Sequence, residues 1–241
     1  MRKIVICVEG DTEFWFLAWL LPEVAGYGKV HLKLAKQHGG TYQEFREQGA
    51  PEDAAAYAIL LINCACDGKV KPFILERNGK WAAQGYEYIL GLLDLWPKTL
   101  DQLEDFENGL SQGLDKSVIP VKLVVAVKEI EAWFLNEKHH FEKINASLTV
   151  NAIKENTGFD PSSDNAETKI FHPAVMLAKI YGIVSLDWDK KQGEILRTVN
   201  ALDPASLYEN VRQMSKSLDK FLGELDALFN AASGVPDVSA V

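Results

Sequence analysis

The chain has 241 residues, of which 47% are hydrophobic and 24% are charged, a composition that indicates a globular protein with a full core. It excludes disordered and collagen-like classes. The 34 acidic and 25 basic residues give a formal net charge of −9, which argues against a protein that coats nucleic acid through bulk electrostatics.

The first part of the chain alternates strand-like and helix-like segments. Residues 3–8 (KIVICV) form a β-branched run typical of a central parallel strand, and the apolar segment 12–21 predicts a buried helix that ends at the following proline. Residues 29–36 (KVHLKLAK) alternate as in a half-exposed strand before a glycine turn at 38–40. We interpret residues 51–66 (PEDAAAYAILLINCAC) as a helix opened by proline and two acids.

Two further strands and several helices follow. Residues 86–95 (YEYILGLLDL) predict a strand, residues 100–114 an acidic amphipathic helix, and residues 121–127 (VKLVVAV) a last strand. Helices are predicted at 172–181 and at 204–229, where apolar residues recur at steps of three and four. This order favours an α/β protein with an open, mostly parallel sheet flanked by helices and a helical C-terminal extension.

The same pattern suggests how the chain is organised. We predict a first domain at 1–140, a helical subdomain at 141–230 and a flexible tail at 231–241. The apolar stripe of the helix at 204–229 must be buried, and its width favours packing within the chain with a surplus for homodimerisation.

Sequence features also bear on location. No apolar run reaches 18 residues, and the amino terminus reaches an acidic residue too early for a secretory signal. The three cysteines, Cys7, Cys64 and Cys66, are an odd number without the spacing of a zinc site. We therefore expect a cytoplasmic protein without a membrane segment, whose thiols are buried and reduced.

Acidic residues stand at the carboxyl ends of three predicted strands. Glu9 follows the first strand, Asp94 lies near the end of the strand at 86–95, and Glu129 and Glu131 follow the last. Ligands of open parallel sheets bind in the crevice outside these ends. Carboxylates gathered there repel one another unless a cation lies among them, and hard oxygen ligands suit Mg²⁺ or Mn²⁺.

Simpler interpretations exist for the same residues. Asp11, Thr12 and Glu13 have the pattern of a helix N-terminal cap favoured by the helix dipole, and an acid at a strand end is commonly a solvated chain end. Lys128 either neutralises a phosphate or is a solvated side chain. The aromatic residues of the first helix are expected in the core, and the basic cluster at 69–80 and the histidines at 139–140 at the surface.

Together these motifs resemble a known fold. The segment EGDTE at 9–13, the strand that ends in Asp94 and the segment KEIEAWF at 128–134 are similar to the Toprim fold, in the variant of OLD-family nucleases, RloB-like proteins and related bacterial families of unknown function. The resemblance covers about residues 1–140, with a fainter similarity at 169–181. It departs at Asp94-Leu95-Trp96, where tryptophan replaces the second acid of an Asp-x-Asp motif.

The resemblance implies Mg²⁺- or Mn²⁺-dependent phosphodiester hydrolysis, or related phosphoryl transfer, on nucleic acid. The implied catalytic residues are Glu9, Asp94 and Glu129, and the implied metal ligands are Glu9, Glu13, Asp94, Glu129 and Glu131. The implied setting is bacterial defence against phage or mobile elements, commonly with a separate partner ATPase. The chain itself has no Walker A loop, which argues against an intrinsic ATPase. The alternative is a non-catalytic Toprim-like subunit that works through protein contacts. Whether the substrate is DNA or RNA stays open.

Overall fold

Six strands form one sheet in the computed structural model, which describes residues 1–65 and 68–230. The strands are β1 (Arg2–Val8), β2 (Val30–His38), β3 (Thr41–Gly49), β4 (Tyr57–Asn63), β5 (Tyr88–Asp94) and β6 (Val121–Ala126). Their order is β3-β2-β4-β1-β5-β6; β3 runs antiparallel to β2, and the other neighbours are parallel. The prediction of a mostly parallel α/β sheet is therefore confirmed.

Helices cover both faces of the sheet and form the C-terminal part. They are α1 (Asp11–Ala25), α2 (Val70–Ala83), α3 (Leu103–Ser111), α4 (Glu131–Asn136), α5 (His139–Ile144), α6 (Val150–Thr157), α7 (Ala166–Lys169), α8 (Pro173–Gly182), α9 (Gln192–Ala201), α10 (Pro204–Ser206), α11 (Arg212–Met214) and α12 (Lys216–Asn230). A π-helical segment, Leu207–Val211, joins α10 to α11. Among the described residues, no helix is both long and apolar enough to cross a bilayer. The predicted tail at 231–241 and Cys66 lie outside the described residues.

Two hydrophobic cores lie on opposite faces of the sheet. Successive side chains of β1 alternate between them, because strand residues point to opposite faces in turn. The larger core contains Ile4 and Ile6 with α1, α4 and α12, and the smaller contains Val5 and Cys7 with α2. Burial on both faces explains why β1 is a continuous apolar run. The larger core extends to Phe229 and so includes residues from both predicted domains.

The prediction of a helix at 51–66 is wrong. This segment forms a short 3₁₀ turn, Glu52–Ala54, and then β4, which pairs in parallel with both β1 and β2. Every residue of β4 is buried, and a strand buried on both faces shows the same unbroken apolar run as a buried helix. The helix lies further along as α2, within the segment expected to be a basic loop. Its Arg77 is 7% exposed, with the guanidinium 4.0 Å from the Phe73 ring centroid.

Helix boundaries differ from the predictions at two further places. Helix α1 continues past Pro22 to Ala25. The single helix predicted at 204–229 is broken at Ser215, which has an extended backbone with φ −104° and ψ 103°. Ser215 and Ser217 both donate hydrogen bonds to Glu167 Oε1, which holds the two helical parts at this break. The apolar stripe is buried within the chain, at Leu207, Val211, Leu218, Phe221, Leu225 and Leu228.

Expectations about single side chains had mixed outcomes. The aromatic residues Phe14, Trp15 and Phe16 are buried in the core, as predicted. His140, expected at the surface, is wholly buried, and its Nδ1 lies 2.5 Å from the carbonyl oxygen of Glu137. His140 lies on α5, which packs against α9. Two adjacent histidines in a sequence do not reveal such packing.

Candidate functional site

Carboxylates from three segments of the chain line one pocket at the carboxyl ends of the parallel strands. The pocket has a volume of about 330 Å³ and is lined by Glu9, Gly10, Asp11, Thr12, Glu13, Asp94, Trp96, Glu129 and Lys190. It lies where strand order predicts a ligand crevice, beside the central strand β1 and its neighbour β5. The structure thus brings together four of the five acids singled out from the sequence. The fifth, Glu131, lies at the first position of α4 and contacts the pocket residue Thr12.

Backbone N–H groups from two different segments hold the carboxylate of Glu9 in place. Its Oε1 accepts a hydrogen bond from the backbone N–H of Gly68 at 2.9 Å, and its Oε2 accepts one from the N–H of Asp94 at 3.0 Å. The residue is 8% exposed. Two backbone donors set the direction of the carboxylate, so Glu9 is a positioned group and not a solvated chain end.

The start of α1 combines capping with pocket lining. The N–H of Gly10 donates a hydrogen bond to Glu13 Oε2 at 2.9 Å, in the manner of a side chain that bonds back to the N-cap residue. Asp11 Oδ1 accepts from Lys36 Nζ at 2.6 Å and from Asn63 Nδ2 at 2.8 Å, which ties the helix start to β2 and β4. The capping interpretation therefore holds for Glu13, which also faces the pocket.

Burial and mutual repulsion disfavour the charged state of this cluster. Burial, together with the nearby charge of Glu131, raises the pKa of Glu13 from 4.5 to about 7. Burial also raises the pKa of Asp94 well above its ordinary value, with contributions from Glu13 and Glu131. Asp94 Oδ1 accepts a hydrogen bond from the N–H of Ile130 at 3.2 Å. Full ionisation of Glu13 and Asp94 is therefore unfavourable unless protons or nearby positive charge offset it.

A sharp turn after β6 delivers Glu129 and Glu131 to the same region. Lys128, at the turn, has a left-handed backbone with φ +67°, which is uncommon for a residue with a side chain. Glu129 Oε2 accepts hydrogen bonds from the backbone N–H of Ala174 at 3.0 Å and, when Nδ1 carries the proton, from the His172 ring at 2.7 Å. Glu131 is wholly buried, and its Oε2 has no hydrogen-bond partner among the described residues.

Lys190 is the pocket residue that sequence reasoning missed. It lies in the loop between α8 and α9, and its Nζ is 2.9 Å from Glu131 Oε1 and 3.5 Å from Glu129 Oε1. Burial lowers the pKa of Lys190, but the charges of Glu131 and Glu129 outweigh it and hold the pKa above its ordinary value. Its backbone is left-handed, with φ +58°. No local pattern in DWDKKQG distinguishes Lys190 from the exposed Lys191 beside it.

The chemistry of the pocket suits a hard divalent cation, but its present geometry does not form a ligand cage. Carboxylate oxygens are the ligands that Mg²⁺ and Mn²⁺ prefer, and the buried Oε2 of Glu131 lacks another partner in the described residues. However, within residues 1–65 and 68–230 no three acidic, histidine or cysteine side chains are arranged to hold one metal ion. The ammonium group of Lys190 neutralises Glu129 and Glu131 instead.

A second depression lies at the other end of α1 and has a different character. It has a volume of about 400 Å³ and is lined mainly by apolar and neutral polar groups, among them Trp15, Trp19, Tyr27, Gln48 and Leu196. No carboxylate lines it, and Arg46 is its charged residue. It offers no group for acid, base or metal chemistry, so the carboxylate pocket is the better candidate for a reactive site.

Comparisons of the chain with protein-family models, with curated proteins and with solved structures gave no match. The geometry of the pocket and the sequence motifs that form it are therefore the basis for proposing a function.

Proposed function

We propose that the chain is a Mg²⁺- or Mn²⁺-dependent nuclease, or a related phosphotransfer enzyme, of the Toprim type. The observation that carries this proposal is the convergence of Glu9, Glu13, Asp94 and Glu129 on one pocket at the carboxyl ends of parallel strands. The segment EGDTE at 9–13 supplies two of these acids around a tight turn into α1, in the order that the Toprim resemblance leads one to expect.

The residues have separate roles in this proposal. Glu9, Asp94 and Glu129 are the catalytic residues, and Glu13 and Glu131 are further ligands of a divalent ion. Such an ion, when bound, polarises a phosphodiester and lowers the pKa of a coordinated water. Glu9 is held by two backbone N–H groups, so its carboxylate is prepared to orient or deprotonate an attacking water without rearranging.

Electrostatics favour a cation in this pocket over an empty cluster. Burial and the neighbouring carboxylates raise the pKa values of Glu13 and Asp94, so full ionisation of the cluster is unfavourable. A divalent ion would relieve that repulsion and compete with Lys190 for Glu129 and Glu131. Because the chain carries a net charge of −9, this local positive charge would also assist the approach of a polyanionic substrate.

The biological setting of the proposal comes from the resemblance alone. Families with this arrangement imply bacterial defence against phage or mobile elements, and a separate ATPase partner would supply the nucleotide-driven step. Among its exposed large hydrophobic residues the chain has Val118 and Phe171, which are available to contact other molecules.

A second candidate is a non-catalytic Toprim-like subunit that acts through protein contacts. The specific observation in its favour is the ion pair of Lys190 with Glu129 and Glu131, which neutralises part of the cluster without a metal. In that case the acids have a structural role, and the pocket hydrolyses nothing.

A cleavage assay separates the two candidates. Supercoiled plasmid, a single-stranded DNA and a single-stranded RNA are incubated with the purified chain in Mg²⁺, Mn²⁺ or EDTA. The wild type and Glu9→Gln are compared with Glu142→Gln, a matched change at an exposed residue of α5. The proposal predicts cleavage that requires metal, survives in Glu142→Gln and falls at least a hundredfold in Glu9→Gln, about the loss of a group that acts in the transition state. Equal cleavage by wild type and Glu9→Gln would contradict it.

A further inference from the structure

We propose that an aromatic ledge beside the carboxylate pocket binds an unpaired base of a single-stranded nucleic acid. The ledge consists of Trp96, Phe171 and His172, with Lys128 above it. This inference rests on the proposed function, because it names the class of substrate that the pocket would receive: a single strand, or a strand with an unpaired nucleotide.

The rings form one continuous group that shares a residue with the pocket. Trp96 lines the pocket, and its ring stacks on His172 with centroids 4.3 Å apart and an interplanar angle of 29°. Phe171 meets Trp96 edge to face, with centroids 5.2 Å apart. His172 also bonds Glu129 at 2.7 Å, which fixes the ledge relative to the carboxylates. A nucleotide stacked on the ledge would therefore place its phosphate within reach of the pocket.

Phe171 has the exposure of a binding residue and not of a core residue. It is 65% exposed, whereas the neighbouring Ile170 is 8% exposed and packs in the core. It lies between α7 and α8, two residues before the proline that begins α8. Exposed aromatic rings are the side chains on which the bases of a single strand stack.

Charge favours stacking as the mode of binding. A chain with net charge −9 cannot hold a nucleic acid by bulk attraction, whereas base stacking on an aromatic ring requires no charge on the protein. Lys128 supplies one local cation: its Nζ lies 5.2 Å from the Phe171 centroid, although the residue as a whole is only 6% exposed. Bases in a duplex already stack on one another and offer no free face, so the ledge selects unpaired nucleotides.

The test measures binding separately from cleavage. Fluorescence anisotropy follows a labelled 12-nucleotide DNA, the RNA of the same sequence and the corresponding duplex, all in EDTA so that no metal-dependent cleavage occurs. Wild type is compared with Phe171→Leu, which keeps an apolar side chain and removes the ring, and with Phe171→Trp, which keeps a ring. Tyr27→Leu is the matched control, because Tyr27 is 60% exposed and follows the opposite end of α1 from the pocket.

The inference predicts that wild type binds a single strand more tightly than the duplex. Phe171→Leu should weaken single-strand binding about five- to tenfold, Phe171→Trp should retain it, and Tyr27→Leu should leave it unchanged. The preference between DNA and RNA then identifies the source of the strand. Melting temperatures of all variants should match, because each altered ring is largely exposed.

Three results would overturn the ledge: no single-strand binding by wild type, equal binding by Phe171→Leu, or an equal loss in Tyr27→Leu. None of them bears on the cleavage assay with Glu9→Gln. Conversely, ring-dependent binding without metal-dependent cleavage would support the ledge and contradict the nuclease.

Discussion

Replacing Lys190 with methionine removes the one positive charge that contacts two buried carboxylates in the described part of the pocket. Its Nζ lies 2.9 Å from Glu131 Oε1 and 3.5 Å from Glu129 Oε1, and Glu131 is 0% exposed. At an effective dielectric constant of about 20, two charges about 3 Å apart attract by roughly 5 kcal/mol. The side chain of Lys190 is 40% exposed, so solvent screening and its own desolvation reduce the net effect to about 1–3 kcal/mol.

In the absence of metal, Lys190→Met should therefore lower the melting temperature by roughly 2–12 °C, at about 2–4 °C for each kcal/mol in a chain of this size. Methionine keeps the Cβ atom, so any cost of the left-handed backbone at this position is common to both proteins. Lys191→Met is the matched control, because Lys191 is 69% exposed and its ion pairs with Asp189 and Glu194 are screened by solvent. Its melting temperature should stay at the wild-type value.

The same variant should respond more strongly to Mn²⁺ or Mg²⁺, because no ammonium group then competes for Glu129 and Glu131. Differential scanning fluorimetry across a metal titration would measure both effects, and 10 mM metal should restore most of the lost stability. If Lys190→Met melts with the wild type, or loses stability that metal does not restore, then Lys190 is not a substitute for a divalent ion and the electrostatic reasoning is refuted.

Three further predictions concern stability. Burial raises the pKa of Glu13 to about 7, so the folded state binds more protons than the unfolded chain between pH 4.5 and 7, and metal-free stability should fall as pH rises through this window. A Glu13→Gln variant should show a smaller pH dependence in urea titrations, with the remainder due to Asp94 and Glu131, whose pKa values burial also raises. Gly91→Ala should cost about 1–3 kcal/mol in urea unfolding, because the added Cβ would lie 2.4 Å from Cδ2 of the half-buried Leu123 and 3.2 Å from Cγ1 of the wholly buried Val70, and an unchanged midpoint would contradict the tight packing of β5 against β6 and α2. Glu137→Gln should destabilise the protein by about 1–3 kcal/mol, because both carboxylate oxygens of this wholly buried side chain accept backbone N–H bonds at 2.9–3.1 Å. The control Glu142→Gln, at an exposed residue, should melt as the wild type does. Equal melting temperatures of Glu137→Gln and wild type would show that these buried bonds are not needed.

Sequence patterns identified the strands that supply the site, because their signals are local. The segments that became β1, β5 and β6 are apolar runs of strand length, and each is followed by an acid. Since parallel strands end at one edge, the convergence of Glu9, Asp94 and Glu129 could be predicted without knowing the strand order.

Other parts of the fold depend on tertiary context that the sequence does not display. Strand β4 has an unbroken apolar run that suits a buried helix equally well, and the polar edge strand β3 has no buried face to produce alternation. Lys190 contacts Glu131 from a loop almost sixty residues further along the chain. The position of that loop is set by the packing of α8 against α4 and of α9 against α1. The 65% exposure of Phe171 likewise depends on tertiary packing, because nothing in the local sequence distinguishes it from the buried Ile170 beside it.

The central claim is that the carboxylates of EGDTE and of the strand ends bind a divalent cation. Its most direct test is the metal-induced change in melting temperature of wild type and Glu9→Gln, with Glu142→Gln as control. At a metal concentration near one hundred times the dissociation constant, binding adds about 2.7 kcal/mol, which corresponds to roughly 5–10 °C. The absolute melting temperature is not the criterion, because glutamine can accept only one of the two backbone N–H bonds that Glu9 now accepts. Wild type and Glu142→Gln should show this stabilisation, and Glu9→Gln should lose it. An equal shift in all three proteins, or no shift in any, would contradict cation binding by these carboxylates.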